Sequence, residues 1–311
     1  MSSIASDKEF AIPTTLNLLV IALQLCAMFA IFYGASVANA WWQLALLALA
    51  FAVVGNSVYS IIHEAEHHML HPNVVLNDFL GAFMALFFPA PYHLLRQGHL
   101  CHHRANRSDD EAFDLYFDGD QPIVKWLKFY GIITGVYWVM VVLSNIVVLL
   151  FPFLVKKQLY EFDEPFAKFV EVLDPRYRWL IKLEAFLVIV LHATIIWGMG
   201  IPFWNYAIVY FGFGFSWSAM QYVHHCGTTR HVTDGTRNLW IFGPVDRLWL
   251  HHNWHLTHHK QPTVPWIHLP RLGQQQDPNR GFLPWYYLKM WRGPRYTEKH
   301  VENRYTGRVS K

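Results

Sequence analysis

A chain of 311 residues that is 53% hydrophobic and only 15% charged is too apolar for an ordinary soluble domain. Its formal net charge of +3 is too small to imply nucleic acid as a partner. The expectation is an all-α integral membrane protein, a single domain over residues 1–311, because no internal repeat or linker divides the chain.

The first residues lack the basic stretch and small-residue cleavage site of a signal peptide, so the first apolar run is expected to remain in the mature chain. A membrane helix needs about 20 apolar residues, and four stretches qualify: 14–34, 41–62, 180–200 and 203–223. The second runs into His-Glu-Ala-Glu-His-His at 63–68. The stretch 79–95, interrupted by Pro89 and Pro91, is too short and broken to span and reads as interfacial or re-entrant. It leads into His-Leu-Cys-His-His at 99–103. The long apolar run 127–155 must return to the face it left or lie along it, since all the histidines have to share one side to build one site. Lys156, Lys157, Lys168, Arg176 and Arg178 follow, and the chain's end carries Arg292, Arg295, Lys299, Arg304, Arg308 and Lys311. Both groups predict a cytoplasmic histidine-rich cap and cytoplasmic termini. Cys26, Cys101 and Cys226 have no disulfide spacing, which suits a reducing compartment; the latter two, beside histidines, read as neutral packing residues.

The histidines carry the chemistry. His63 and His67, at i and i+4, lie on one helical face. The same residues match His-Glu-x-x-His, in which Glu64 would be the general base of a zinc protease. Such a site needs one further ligand and does not need two additional clusters. Glu64 and Glu66 therefore read as partners that orient imidazole N–H groups. His99, His102 and His103 share their spacing with His255, His258 and His259, and each triplet is expected to offer three nitrogens to a common point. Ahead of the last cluster, Gln221 and His225 also lie at i and i+4.

Together these boxes, 63–68, 99–103, 221–225 and 255–259, resemble the membrane-bound fatty acid desaturase and hydroxylase superfamily, over about residues 63–259. The resemblance implies nine metal-ligating and catalytic imidazoles: His63, His67, His99, His102, His103, His225, His255, His258 and His259. His68 and His224 stand as alternates to His67 and His225. Gln221 occupies a position where some acyl desaturases have Asn. Nine imidazoles exceed what one ion can hold, so two metal ions follow. Imidazole suits several metals, and iron is what the resemblance implies. It further implies O2 as co-substrate and hydrogen abstraction from a fatty acid or fatty-acyl chain.

Stretches around the second and third boxes are also similar to short bacterial members, including fatty acid decarboxylases that make 1-alkenes. The outcome is thus an alkene by desaturation or decarboxylation, with hydroxylation as the alternative. Arg96, Arg104 and Arg107 are candidates for a substrate head group. Asp109, Asp110 and Glu111 read as a solvated face or as salt-bridge partners of those arginines. Phe211, Phe213, Phe215, Trp217 and Tyr222 suit either an apolar substrate or helix packing, with Gly212 and Gly214 admitting a close neighbour. The chain carries no haem, flavin or ferredoxin motif, so electrons are expected from a separate ferredoxin- or rubredoxin-like protein with its reductase. The expected setting is a bacterial inner membrane. A metal transporter would need ionisable residues along a path through the spans, which hold few beyond Glu184 and His192.

Overall fold

Three helices in the computed structural model are each long and apolar enough to cross a membrane: α1 (Thr14–Val37), α2 (Trp41–Glu66) and the stretch Pro175–Gly198, which contains α8 (Arg178–Gly198). The structure describes residues 10–160, 163–302 and 304–310; the leaderless start expected at residues 1–9, and Lys311, lie outside them. Large apolar side chains on the outer faces, such as Leu19, Leu23 and Tyr33 of α1 and Trp179, Leu183 and Phe186 of α8, are exposed, as helices facing lipid require. The expected fourth span is the continuous helix α9 (Phe203–Val223), but its Tyr, Trp, Ser and Gly content keeps it below the apolarity of the other three. It is the inner helix of the bundle. α9 packs along α2, where Asn56 Nδ2 donates to Ser216 Oγ at 2.8 Å. A Cβ on Gly212 would lie 2.9 Å from Ala48, and one on Gly214 only 2.3 Å from the Trp138 ring, so both glycines do admit a close neighbour. Phe32, Phe51, Tyr210 and Phe213 fill the layer between.

The two interrupted apolar stretches are bent pairs. α3 (Val74–Phe87) and α4 (Tyr92–Ala105) meet at 102°, at the Pro89/Pro91 break that the sequence marks. α5 (Pro122–Ile133) and α6 (Val136–Leu150) meet at 88°, where Gly135 adopts a φ of 91°. Counting each pair as one span would raise the number of spans to five. Glu184 of α8 receives the start of α4, its Oε2 accepting from the His93 backbone N–H at 3.1 Å and its Oε1 lying 2.6 Å from His93 Nδ1. A carboxylate at a helix N-terminus satisfies an otherwise orphan donor and complements the helix dipole. His192 is likewise engaged, by Tyr206 Oη at 2.6 Å and Leu86 O at 2.8 Å. Glu184 and His192 are therefore held in place by structural partners, which argues against a role for them in an ion path.

Short elements after α7 (Glu164–Glu171) and α9 close the cap: α10 (Gly243–Leu248), α11 (His255–Lys260), α12 (Leu269–Gln276) and α13 (Leu283–Met290). Two parallel ladders of two residues each stitch distant segments together. β1 (Leu115–Tyr116) pairs with β4 (Arg295–Tyr296), and β2 (Leu239–Trp240) with β3 (Gly281–Phe282). α1 reaches the cap through buried amides. Asn17 donates to Leu70 O at 2.9 Å and accepts from Trp266 Nε1 at 2.9 Å, which explains a polar residue buried on an apolar helix.

Candidate metal centre

Four backbone segments deliver the imidazoles. α2 ends at Glu66, so His63 sits in its last turn and His67 is the residue that caps it. α4 carries His99, His102 and His103; the turn after α9 carries His225; and α11 carries His255, His258 and His259. These nine side chains fall into two groups, His63, His67, His99, His103 and His258 in one, and His102, His225, His255 and His259 in the other. Within each group the candidate ligand atoms lie within 4.8 Å of one another. The groups abut, with the His103 and His259 rings stacked at 4.2 Å.

The grouping corrects one expectation. Neither His-x-x-His-His triplet serves a common point; each is divided two and one. His99 and His103 go to the first group and His102 to the second, while His255 and His259 go to the second and His258 to the first. On a helix of 3.6 residues per turn, positions i and i+4 differ by only about 40° around the axis, whereas i+3 and i+4 differ by about 100°. The i+3 imidazole thus leaves its own pair and crosses to the neighbouring group.

The geometry fits metal ions. Nε2 of His67 lies 2.8 Å from that of His99, His99 lies 3.1 Å from His103, His103 lies 3.0 Å from His258, and His225 lies 3.0 Å from His255. Adjacent nitrogens on one ion with metal–nitrogen bonds of about 2.0–2.1 Å are separated by about 3 Å. Nε2 of His63 and of His259 is buried with no hydrogen-bond partner among the described residues, as expected of nitrogens aimed at a cation. The electrostatics agree. Burial, then the neighbouring imidazoles, holds His255, His258 and His259 well below the ordinary histidine range, and burial lowers His67 to about 3. Burial, followed by His102, does the same for His225. Neutral imidazole is the form that binds metal.

The outward nitrogens of His102, His225 and His67 have partners that set the tautomer. His102 Nδ1 is 3.2 Å from Glu111 Oε2, and His225 Nδ1 is 3.3 Å from the Gly235 carbonyl. His67 Nδ1 meets the carbonyl oxygen of Val309. Such contacts aim the other nitrogen at a metal. Glu66 Oε2 is 3.9 Å from His99 Nδ1, beyond hydrogen-bond length, and Glu64 Oε2 accepts from the Trp266 backbone N–H at 3.1 Å. Contrary to the expectation from the sequence, neither glutamate orients an imidazole by a direct hydrogen bond among the described residues.

The alternates lie outside both groups. His68, with a φ of 59°, turns away and pairs with Asp78 at 3.1 Å. His224 is fully buried with its ring 4.6 Å from that of His255, beside the second group rather than in it. Gln221 Nε2 bonds back to Trp217 O at 3.3 Å. Cys101 and Cys226 also stay out, and burial, then Asp114, pushes Cys226 up to about 12, which keeps it a thiol. Of the three arginines, Arg107 is buried against Asp114, Tyr222 Oη and Thr228 O, and Arg96 bonds Glu66 O at 3.0 Å and Ser310 Oγ at 3.2 Å. Only Arg104 presents its side chain to solvent. Asp109 and Asp110 form salt bridges with Arg230, His300, Lys168 and Arg304 instead of the three arginines expected, and Glu111 meets His102.

Sequence reasoning missed His252. Its ring lies 4.9 Å from that of His63 and 5.1 Å from that of His255, so it touches a member of each group. Its spacing of three before His255 was the available signal. A crevice beside the first group is lined by Ser60, His63, Glu64, Leu250, His252, His258 and Leu269. On the membrane side an aromatic wall of Tyr59, Trp217 and Phe88 backs the centre, with the Tyr59 ring 6.4 Å from that of His63, 5.3 Å from that of Trp217 and 5.3 Å from that of Phe88. A first group of five imidazoles exceeds the three protein ligands of a zinc hydrolase site.

No curated protein matches the chain at a significant level. The family model described as fatty acid desaturase matches residues 39–294, a region that contains all nine imidazoles and both bent helix pairs. The chain is a member of the fatty acid desaturase family.

Proposed function

We propose that the chain is an O2-dependent fatty acid oxidase whose two imidazole groups each hold an iron ion, and that it converts an acyl chain to an alkene, by desaturation or by oxidative decarboxylation of a free acid to a 1-alkene. The observation that carries this reading is the pair of abutting all-histidine groups at the membrane edge of the helix bundle. Bound iron would supply reductive activation of O2 and the power to remove hydrogen from an unactivated C–H bond, chemistry that side chains alone lack.

The chain's own residues would do the rest. The nine imidazoles hold the ions, and Glu111, Gly235 O and Val309 O fix the tautomers of His102, His225 and His67. The wall of Tyr59, Phe88 and Trp217 keeps water from the membrane side and offers apolar contact to a methylene chain. An apolar cavity of about 660 Å³ among α6, α8 and α9, lined in part by Trp138, Val142, Ile196 and Phe211, reaches Pro89, the neighbour of Phe88 in that wall, and suits a lipid chain. Exposed Arg292, Arg295, Lys299 and Arg308 form a basic surface that suits an acidic ferredoxin- or rubredoxin-like donor, which must supply an external electron pair per turnover. The same charges support a bacterial inner-membrane setting with the centre facing the cytoplasm.

The test is to give the purified, iron-loaded protein free and thioester-linked fatty acids with O2 and a reducing system, and to analyse headspace and retained lipid by mass spectrometry. We expect a 1-alkene in the headspace or a retained acid lighter by two hydrogens. An acid carrying an added oxygen would replace this reading by hydroxylation, and peptide cleavage without O2 consumption would replace it by proteolysis.

A further inference from the structure

His67 lies just past the last residue of α2. It caps α2 with φ near −92° and ψ near 2°, so its ring orientation depends on contacts beyond its own turn. The outward nitrogen, Nδ1, meets the carbonyl of Val309, which stands 242 residues away in sequence. A carbonyl only accepts, so Nδ1 carries the hydrogen and Nε2 turns a lone pair toward the first group, 2.8 Å from His99 Nε2. By contrast, His102 and His225 take their partners from nine and ten residues away in sequence.

The segment that brings Val309 there is pinned along its length. Asp109 N donates to Val301 O at 3.0 Å, and Val301 N donates back to Asp109 Oδ1 at 2.9 Å. Arg304 Nη2 reaches Asp110 Oδ2 at 3.0 Å, and Tyr305 N donates to Arg104 O at 2.9 Å. At the far end Arg96 holds Ser310 Oγ and the Glu66 carbonyl together. Val309 is only 4% exposed, although Gly307 and Arg308 beside it are exposed. Every one of these anchors belongs to α4, to the loop that follows it or to the last turn of α2, the elements that deliver five of the nine imidazoles.

We propose that residues 299–302 and 304–310 form a strap that completes the first metal group, with the Val309 carbonyl as a positioning group that fixes the tautomer and aim of His67 and so sets how tightly that group retains its ion. The proposal rests on the two-ion reading above. It assigns the strap a selective role: the second group has no ligand in contact with it through the bonds described, so only one of the two ions should respond.

The experiment compares the full chain with a variant that ends at Arg308, both purified in detergent and loaded with iron, by metal content per chain and by the rate of iron loss to a chelator. Loss of an outer partner of a ligating histidine typically weakens metal affinity about 10–100-fold. One ion should therefore leave the shortened chain about 10–100-fold faster while the other leaves at the full-chain rate. Val309→Ala, which keeps the carbonyl, should retain both ions. Asp109→Ala, which unpins the strap at its root, should show the same one-ion loss and replaces the shortened chain if that fails to fold. Two ions lost at full-chain rates, or both accelerated alike, would overturn the strap's role; a full chain that binds no pair of ions would overturn the two-ion reading itself.

Discussion

His225→Ala should leave the protein with one ion per chain and no measurable turnover. His225 is one of only four imidazoles in the second group, and its removal leaves His102, His255 and His259. Losing an outer partner of a ligand costs about 10–100-fold in metal affinity, and losing the ligand itself should cost more than that. Because the chemistry asked of the centre uses both ions, the loss of either abolishes it. His99→Ala provides the internal comparison. Four imidazoles remain in the first group after that change, so its ion should be held more weakly yet still be present after purification. His68→Ala should retain both ions, because His68 pairs with Asp78 away from either group. Metal content by mass spectrometry, measured beside O2-dependent product formation, reads all three. The order of metal loss should be His225→Ala first, then His99→Ala, then His68→Ala. An equal loss in the first two would contradict the division into five and four.

Asp114→Ala should destabilise the fold by about 3–5 kcal/mol, the cost of stranding a buried charge. Arg107 is 1% exposed and Asp114 is 2% exposed, and the guanidinium has few other partners. Tyr222 Oη accepts from Arg107 Nη1 at 2.6 Å and donates to Asp114 Oδ1 at 2.6 Å, while Gly227 N donates to Asp114 Oδ2 at 2.6 Å. This network joins the loop after α4 to the end of α9 and to the turn that carries His225. Its loss should therefore also release the ion of the second group. Replacing Arg107 and Asp114 together by apolar residues should cost less than Asp114→Ala alone, since no unpaired charge is then left inside. The pH dependence follows. Burial pushes the Asp114 carboxyl up, but the charge and hydrogen bond of Arg107, with those of Tyr222 and Gly227, outweigh it and hold the group below its ordinary value of 3.8. A carboxyl lowered on folding contributes stability that is complete above its unfolded value and lost as pH falls through the folded one. Thermal unfolding should thus show a constant gap between wild type and Asp114→Ala at neutral pH, closing only in acid below the ordinary carboxylate range.

The clustering of the candidate imidazoles was readable because helical spacing is a local property. His63/His67, His99/His103 and His255/His259 are pairs at i and i+4, and adjacency on one face follows from the sequence. The division into two groups was not readable, since it depends on the angle at which α4 and α11 face each other, which the sequence does not encode locally. His102 and His258 therefore appeared to belong with their neighbours. The partners of the outward nitrogens were hidden for the same reason. Glu111 read as a solvated acid until the loop folded it back to His102, and nothing near Val309 advertises His67. The spans show the opposite balance. α1, α2 and α8 were legible from apolar length alone, and Pro89 and Pro91 marked the break between α3 and α4. α9 was drawn with the right ends, yet its role as the inner partner of α2 was carried by Gly212 and Gly214, residues that signal close packing rather than exposure to lipid.

The most direct test of the central claim is the number and surroundings of the ions in wild-type protein, taken by elemental analysis together with X-ray absorption at the metal edge. The account predicts two ions per chain, each surrounded by imidazole nitrogen at about 2.0–2.2 Å with no sulfur neighbour. A single zinc per chain, or a sulfur ligand from Cys101 or Cys226, would contradict it.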